Sequence, residues 1–239
     1  MLLIDGDIVC YRTAFSREPS SLTEYCELAD KYITNIVRNA SPDIKDYKVF
    51  LTGKGNYRKD IAVTQEYKGT RAKEKPEYLE AVRQHLISKH LAQVSAGEEA
   101  DDLIAIEATT RGLKSVICSI DKDFNQVPGW HYNFVKNDRF HVSKAEGMRF
   151  FYSQIIIGDR SDNILGVHGI GEKKAAVALK GCKTEYELYS KCVELLGSAE
   201  RVQENGLLLW LRRYEGQMWT PPPLPKGLAN EAEEEAKTA

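Results

Sequence analysis

Short apolar runs and longer amphipathic stretches alternate along most of the chain. Leu2 to Ile4 is apolar throughout and predicts a buried strand. Leu22 to Val37 places Leu22, Tyr25, Leu28, Ala29, Ile33, Ile36 and Val37 at roughly helical spacing. Lys48 to Leu51 predicts a second strand. Pro76 to Lys89 predicts a helix with proline in its first turn. Ala100 to Arg111 predicts another, ended by Gly112. Ser115 to Ile120 predicts a strand, and His131–Phe134 with Phe140–Val142 a hairpin or edge strands. Ile164 to Leu179 holds two glycine turn signals and then a helical run, and Thr184 to Trp219 reads as helical. Strands alternating with helices predict an α/β fold with a mostly parallel sheet.

Composition narrows the class. A length of 239 residues allows one large domain, or a domain plus a small appendage. No apolar run reaches bilayer length, and the N-terminus lacks a basic flank and a cleavage site, so neither a membrane span nor a signal peptide is expected. The five cysteines (Cys10, Cys26, Cys118, Cys182, Cys192) are odd in number and contain no CxxC pair. They suggest neither a disulfide framework nor a zinc site, and they fit a reducing, cytoplasmic setting. The stretch from Thr220 to Pro225 reads as stiff and extended, and the Glu-rich end after it as disordered. Two Lys against four Glu in residues 226–239 account for the whole net charge of −2. The body is therefore neutral, and positions matter more than totals.

Carboxylates gather where strands should end. Asp5 and Asp7 follow the first strand, and Asp121 and Asp123 follow Ser115–Ile120. Ligand sites in open α/β sheets lie at the carboxyl ends of strands, so the two pairs are expected to share one crevice. Glu98, Glu99, Asp101 and Asp102 open a helix, whose dipole offsets part of their repulsion. Asp159 and Asp162 form a fourth group. Two like charges about 4 Å apart repel by roughly 4 kcal/mol at intermediate dielectric, a cost that a cation removes. Oxygen ligands without Cys or His suit magnesium, with manganese as substitute. Two such ions can bind the attacking and leaving oxygens of a phosphodiester. Any one pair alone is as well explained as a turn or helix cap; four groups in these places are not.

Basic residues point the same way. Tyr67-Lys-Gly-Thr-Arg71 sets two cations beside an aromatic, with Lys73 and Lys75 close by. Lys68 and Arg71 can bind phosphate, and Tyr67 can stack on an unpaired base. Glycines at 166, 169 and 171 permit a tight turn, and Lys173 and Lys174 follow at a helix start that can hold a phosphate. This pattern fits a non-specific grip on a duplex backbone. His168 reads as a packing or phosphate neighbour, and the other histidines show no ligand spacing.

Taken in order, these pieces resemble the flap endonuclease / 5′-3′ exonuclease family. The carriers are Leu3-Ile-Asp-Gly-Asp7, Tyr67-Lys-Gly-Thr-Arg71, Glu99-Ala-Asp-Asp102, Ser119-Ile-Asp-Lys-Asp-Phe124, Gly158-Asp-Arg-Ser-Asp-Asn-Ile164 and Gly169-Ile-Gly-Glu-Lys-Lys-Ala175. They cover about residues 1 to 180. The compact size and Gly53-Lys-Gly-Asn-Tyr-Arg58 look most like the small bacteriophage exonucleases of this family, which implies the host cytoplasm. The resemblance implies a PIN-like nuclease core over 1–160 with a helical arch about 64–92. It further implies a helical DNA-binding subdomain with a helix–three-turn–helix over 161–219, ahead of the tail at 220–239. It assigns Asp5, Glu99, Asp101 and Asp102 to a first metal site, Asp121 and Asp123 to a place between the ions, and Asp159 and Asp162 to the second. The same resemblance implies that Lys68 and Arg71 stand at the foot of the arch against the scissile phosphate. It also implies that backbone carbonyls of Val167 and Ile170 hold a monovalent ion, potassium, and that Gly169, Gly171, Lys173 and Lys174 contact DNA. One departure is visible: relatives often carry an Asp at the end of the second strand, where this chain reads Phe50-Leu-Thr-Gly53. Asp7 is the candidate to compensate.

The expected activity is metal-dependent hydrolysis of DNA near a 5′ end, nick or flap, by a monomer, with RNA in RNA–DNA hybrids as a further substrate. Two rivals stand beside it. A haloacid-dehalogenase-type phosphatase would use Asp5 as nucleophile and Asp7 as acid, but leaves Glu99–Asp102 and the glycine turn without a role. A catalytically silent DNA-binding module would have no use for the carboxylates.

Overall fold

Residues 1–71 and 74–224 are described by a computed structural model. Lys73 and the acidic tail therefore lie outside the described residues, while Thr220 to Leu224 has no regular secondary structure. The strands are β1 (Leu2–Asp5), β2 (Tyr47–Lys54), β3 (Gln93–Ala96), β4 (Val116–Cys118), β5 (Gly129–Asn133), β6 (Asp138–Val142), β7 (Gly158–Asp159) and β8 (Ile164–Leu165). The helices are α1 (Gly6–Ala14), α2 (Leu22–Asn39), α3 (Arg58–Ile61), α4 (Leu79–His90), α5 (Ala100–Arg111), α6 (Lys144–Ile157), α7 (Glu172–Leu179), α8 (Glu185–Leu196) and α9 (Ala199–Leu209).

The main sheet runs β3-β2-β1-β4-β5-β6, and only β6 is antiparallel to its neighbour. β1 and β4 are buried along their whole length because both faces are covered. On one face Leu2, Ile4, Val49 and Leu51 pack against α1, α2 and α4; on the other Leu3, Phe50 and Ile117 pack against α5. From β1 the chain moves outward to β2 and β3 on one flank, then crosses back through α5 to β4 on the other flank of β1. A crevice therefore opens at the carboxyl ends of β1 and β4, where strand order reverses.

A second core is helical. Phe151, Tyr152, Ile155 and Ile156 of α6 pack with α7, α8, α9 and Trp219. The helical part is thus built on α6, which begins before residue 161 and which periodicity alone leaves unassigned. Its start is nonetheless written locally: Ser143 and Glu146 form a reciprocal capping box. Gly166 follows β8 in close approach to β7, where a Cβ would lie 2.1 Å from the Ile157 backbone. Gly169 has φ +74°, the conformation the turn into α7 requires.

Three expectations are corrected. Helix α4 begins at Leu79, because Pro76 belongs to a turn whose carbonyl accepts from the Leu79 N–H at 3.1 Å. The arch expected over 64–92 is not a helix among the described residues between Ile61 and Leu79, and α4 lies on the body with Leu79, Val82 and Leu86 in its core. Residues 210–219 are not helical; they return to the body, where Leu211 joins the α5 core and its N–H donates to Gln126.

Candidate metal centre

The crevice at the ends of β1 and β4 holds a cavity of about 650 Å³. Acidic Asp5, Asp7, Glu99, Asp101 and Asp121 line it, with Lys68, Arg71, Lys75 and Arg83 on its rim. Asp5 ends β1 and also caps α1, accepting from the Ile8 N–H at 3.1 Å. Its other oxygen accepts from Ser119 at 2.7 Å, and Ser119 in turn accepts from the Asp121 N–H at 3.0 Å. One serine thus fixes the ends of the two central strands relative to each other.

The predicted carboxylates divide by partner. Asp5, Asp101 and Asp121 have no cationic partner among the described residues. Burial, reinforced by the charge of Asp7, pushes the Asp5 carboxyl up to about 7. Burial and the neighbouring Glu99 raise Asp101 well above the carboxylate range, and burial also raises Asp121. Each of these three is a carboxylate whose ionised form lacks an ion-pair partner among the described residues.

A second set is already neutralised. Glu99 pairs with Lys68, and despite burial the charges of Lys68 and Arg58 hold it below its ordinary value. Asp162 pairs with Arg71 at 2.7 Å. Lys122 reaches Asp159 at 2.6 Å and Asp123 at 3.5 Å. Asp159 is held low by Lys122 against the effect of burial, whereas burial and Asp121 push Asp123 up to about 6. Asp7 of α1 reaches across to β2, where its carboxylate accepts from the Thr52 N–H at 2.9 Å. Arg83 of α4, however, meets its other oxygen at 2.7 Å.

Two assignments are corrected. Asp102 is not a pocket residue. It is fully buried and clasped by Arg58 at 2.6 and 2.9 Å, so its role is structural. Tyr67 is not free to stack on a base. It is 4% exposed, and its hydroxyl donates to Glu99 at 2.7 Å and to Asp162 at 2.9 Å. The basic turn after it is nevertheless built at the site: the Lys68 N–H donates to the Asp162 carbonyl, and Lys68 itself sits in the left-handed region at φ 58°.

Arg58, Arg83, Ser119 and Lys122 escaped the sequence reading as site residues. Arg58 and Lys122 lie inside the recognised motifs, which was the available signal; nothing local marks Arg83. A second cluster was missed as well. The sequence showed no ligand spacing among the histidines, yet Asp30, His85 and His90 converge with ligand atoms within 4.8 Å of one another. No three of the pocket carboxylates do so among the described residues. The pocket is an open arrangement of oxygen donors. That suits magnesium, which keeps several waters and takes one or two carboxylates, better than a closed cage would. Away from this site, a largely apolar cavity of about 510 Å³ lies between α5, α6 and the β5–β6 hairpin.

Past the turn at 166–171, Gly169 and Gly171 are open and Lys173 and Lys174 exposed. The Val167 carbonyl accepts from the Ile170 N–H at 3.2 Å, and Lys174 donates to the Gly169 carbonyl. No helix is long and apolar enough to cross a membrane among the described residues.

No family model matches the chain. It is 30% identical over 159 residues to the flap endonuclease Xni of Shewanella sp. (strain W3-18-1), covering 61% of each protein. It is 31% identical over 167 residues to that of Shewanella loihica, covering 64% of each. The DNA polymerase I of Borreliella burgdorferi is 35% identical over 119 residues, 44% of this chain and 13% of that protein. The matches thus span less than two thirds of the flap endonucleases' length. In fold, the chain is similar to bacteriophage T5 5′-exonuclease with bound zinc (TM-score 0.69, 21% identity, 87% of this chain and 88% of that one). It is also similar to the T5 flap endonuclease complexed with DNA and metal ions (TM-score 0.67, 20% identity, 87% and 88%). The catalytic core of Rad2 in complex with DNA follows at a TM-score of 0.51 and 13% identity, covering 99% and 86%.

Proposed function

We propose that this chain, a relative of the flap endonuclease / 5′-3′ exonuclease family, is a divalent-metal-dependent 5′ nuclease that hydrolyses DNA phosphodiester bonds. One observation carries the reading: Asp5, Asp101 and Asp121 line one crevice at a strand-order switch point with no ion-pair partner among the described residues, beside a basic rim of Lys68, Arg71, Lys75 and Arg83. A donor set of carboxylate oxygens fits magnesium, with manganese as substitute. When bound, such ions offset charge building on a phosphate and lower the pKa of water. Asp5, Glu99, Asp101 and Asp121 would hold the first. Asp121, Asp123, Asp159 and Asp162 would serve the second once Lys122 and Arg71 give up their carboxylates.

The chain's own groups do the positioning. Lys68 and Arg71 are held at the pocket mouth by Glu99 and Asp162, poised to exchange carboxylate for phosphate oxygens. Lys173 and Lys174 of α7, with the open turn at Gly169 and Gly171, would grip the duplex backbone, and carbonyls of Val167 and Ile170 would hold potassium there. Double-stranded DNA with 5′ ends, nicks or flaps is the substrate, with RNA–DNA hybrids as a further one, and the protein acts as a monomer. Five unpaired cysteines support a reducing cytoplasm.

The phosphatase rival is weakened because Asp7, its supposed acid, is paired with Arg83. The silent-binder rival leaves three unpaired carboxylates in the crevice with no purpose. Asp121→Asn tests the reading on a 5′-labelled duplex in magnesium. Cleavage is expected to fall at least about a hundredfold, the scale of removing one group that stabilises the transition state; near-normal cleavage overturns it. A product-length time course on blunt, nicked, flapped and hybrid substrates, with magnesium and with chelator, separates exonuclease from flap cleavage.

A further inference from the structure

The two long helices on one face of the sheet meet at a cluster outside the nuclease pocket. Asp30 comes from α2; His85 and His90 come from α4. Nε2 of His85 lies 2.8 Å from Oδ1 of Asp30, and Nε2 of His90 lies 2.7 Å from the same oxygen. Lys89 takes the other oxygen, Oδ2, at 2.8 Å. The Tyr47 hydroxyl sits 2.9 Å from His90 Nδ1, the ring nitrogen that faces away from the carboxylate. His90 is 9% exposed and the other two side chains 20 and 21%, so the cluster is recessed but open on one side.

We propose that Asp30, His85 and His90 form a transition-metal site of the zinc class that clamps α4 to α2. Two imidazole nitrogens and one carboxylate oxygen, converging from two elements, are a common three-ligand set for tetrahedral zinc, with water as the fourth ligand. Zinc ligand bonds of about 2.0–2.2 Å set ligand atoms roughly 3.4 Å apart. The present N···O separations of 2.8 and 2.7 Å therefore open by roughly 0.6–0.7 Å on binding. Each neutral imidazole moves its proton from Nε2 to Nδ1, and on His90 that N–H then donates to the Tyr47 hydroxyl. Such an outward hydrogen bond fixes the tautomer and ring orientation of a metal-bound histidine. Lys89 leaves Oδ1 free and neutralises the outer oxygen.

Nitrogen donors select zinc, cobalt or nickel over magnesium, whereas the oxygen donors of the pocket favour magnesium. The two sites are thus chemically separate. They are mechanically linked through α4, whose Arg83 holds Asp7 and the Thr52 carbonyl in the pocket.

The test titrates the full chain, held in saturating magnesium, with cobalt(II) and then with zinc(II) against a chromophoric chelator. Wild type is expected to take up one equivalent with the visible ligand-field bands of tetrahedral, nitrogen-ligated cobalt, and zinc is expected to abolish them. The His85→Ala/His90→Ala variant, checked for folding by circular dichroism, is expected to lose that equivalent while its magnesium-dependent cleavage persists. Should the double variant not fold, His90→Gln is titrated in its place, with the same loss expected. Wild type without tetrahedral bands, or a folded variant that binds as much zinc as wild type, overturns the proposal.

Discussion

Arg58 and Asp102 form a two-pronged ion pair at 2.6 and 2.9 Å with both residues at or below 1% exposure. Arg58 also donates to the carbonyls of Leu208 and Trp210, so the pair joins α5 to the segment returning from α9. Removing one partner breaks a buried ion pair and leaves Arg58 only the longer contact to Glu99 at 3.7 Å, a change that costs about 3–5 kcal/mol. Asp102→Asn is therefore expected to lower the unfolding free energy by that amount in urea, with magnesium affinity of the folded fraction unchanged. A weaker metal affinity at unchanged stability would return Asp102 to the metal centre.

The Tyr67 hydroxyl bridges two carboxylates of the site. Hydrogen bonds to charged groups contribute about 1.5–3 kcal/mol. Tyr67→Phe is expected to lose roughly that much stability in metal-free buffer. Because the ring is buried, single-stranded DNA affinity measured by gel shift in chelator should stay within about twofold. A large loss of DNA affinity in Tyr67→Phe would show that the hydroxyl, though buried, reaches the nucleic acid.

Carboxylates with shifted titration make metal-free stability depend on pH. Asp5 and Asp123 have folded-state values raised to about 7 and about 6. Their contribution is complete below the ordinary carboxylate range and is lost as pH rises through those values. Glu99 and Asp159 have the opposite sign; their contribution is lost only in acid, below the ordinary range. The melting temperature in chelator should therefore fall between about pH 5 and pH 8. Magnesium should raise it more at the upper end, by the equivalent of a few kcal/mol. A magnesium effect equal at both ends would contradict the role given to Asp5.

Lys173 and Lys174 are exposed at the start of α7. If they bind phosphates, Lys173→Ala/Lys174→Ala should weaken duplex binding alike for all sequences. The slope of log affinity against log salt should shrink by about 0.9 for each phosphate that is no longer neutralised. An unchanged slope would place the duplex elsewhere.

The α/β class, the first two strands, α2, the limits of α5 and the ordered carboxylate motifs were legible in the sequence, because each rests on local signals. Strand runs, helical periodicity and Gly112 after α5 act within a few residues. Helix α6 was legible in principle through Ser143 and Glu146 but carries no clean apolar stripe, being buried on several sides. What the sequence could not separate were neighbours with opposite fates. Asp101 and Asp102 are adjacent, but one helical step of about 100° turns them apart. Asp101 faces the pocket and Asp102 faces Arg58, a partner 44 residues away. His85 and His90 stand about 140° apart on an ideal helix, and only Asp30 of α2, beside the C-terminal end of α4, brings them together. Which acidic and basic residues are available, and in what order, follows from the amino-acid sequence alone. Folding in three dimensions sets which carboxylates receive a cation from the protein and which are left without one, because countercharge depends on distance in space and not along the chain.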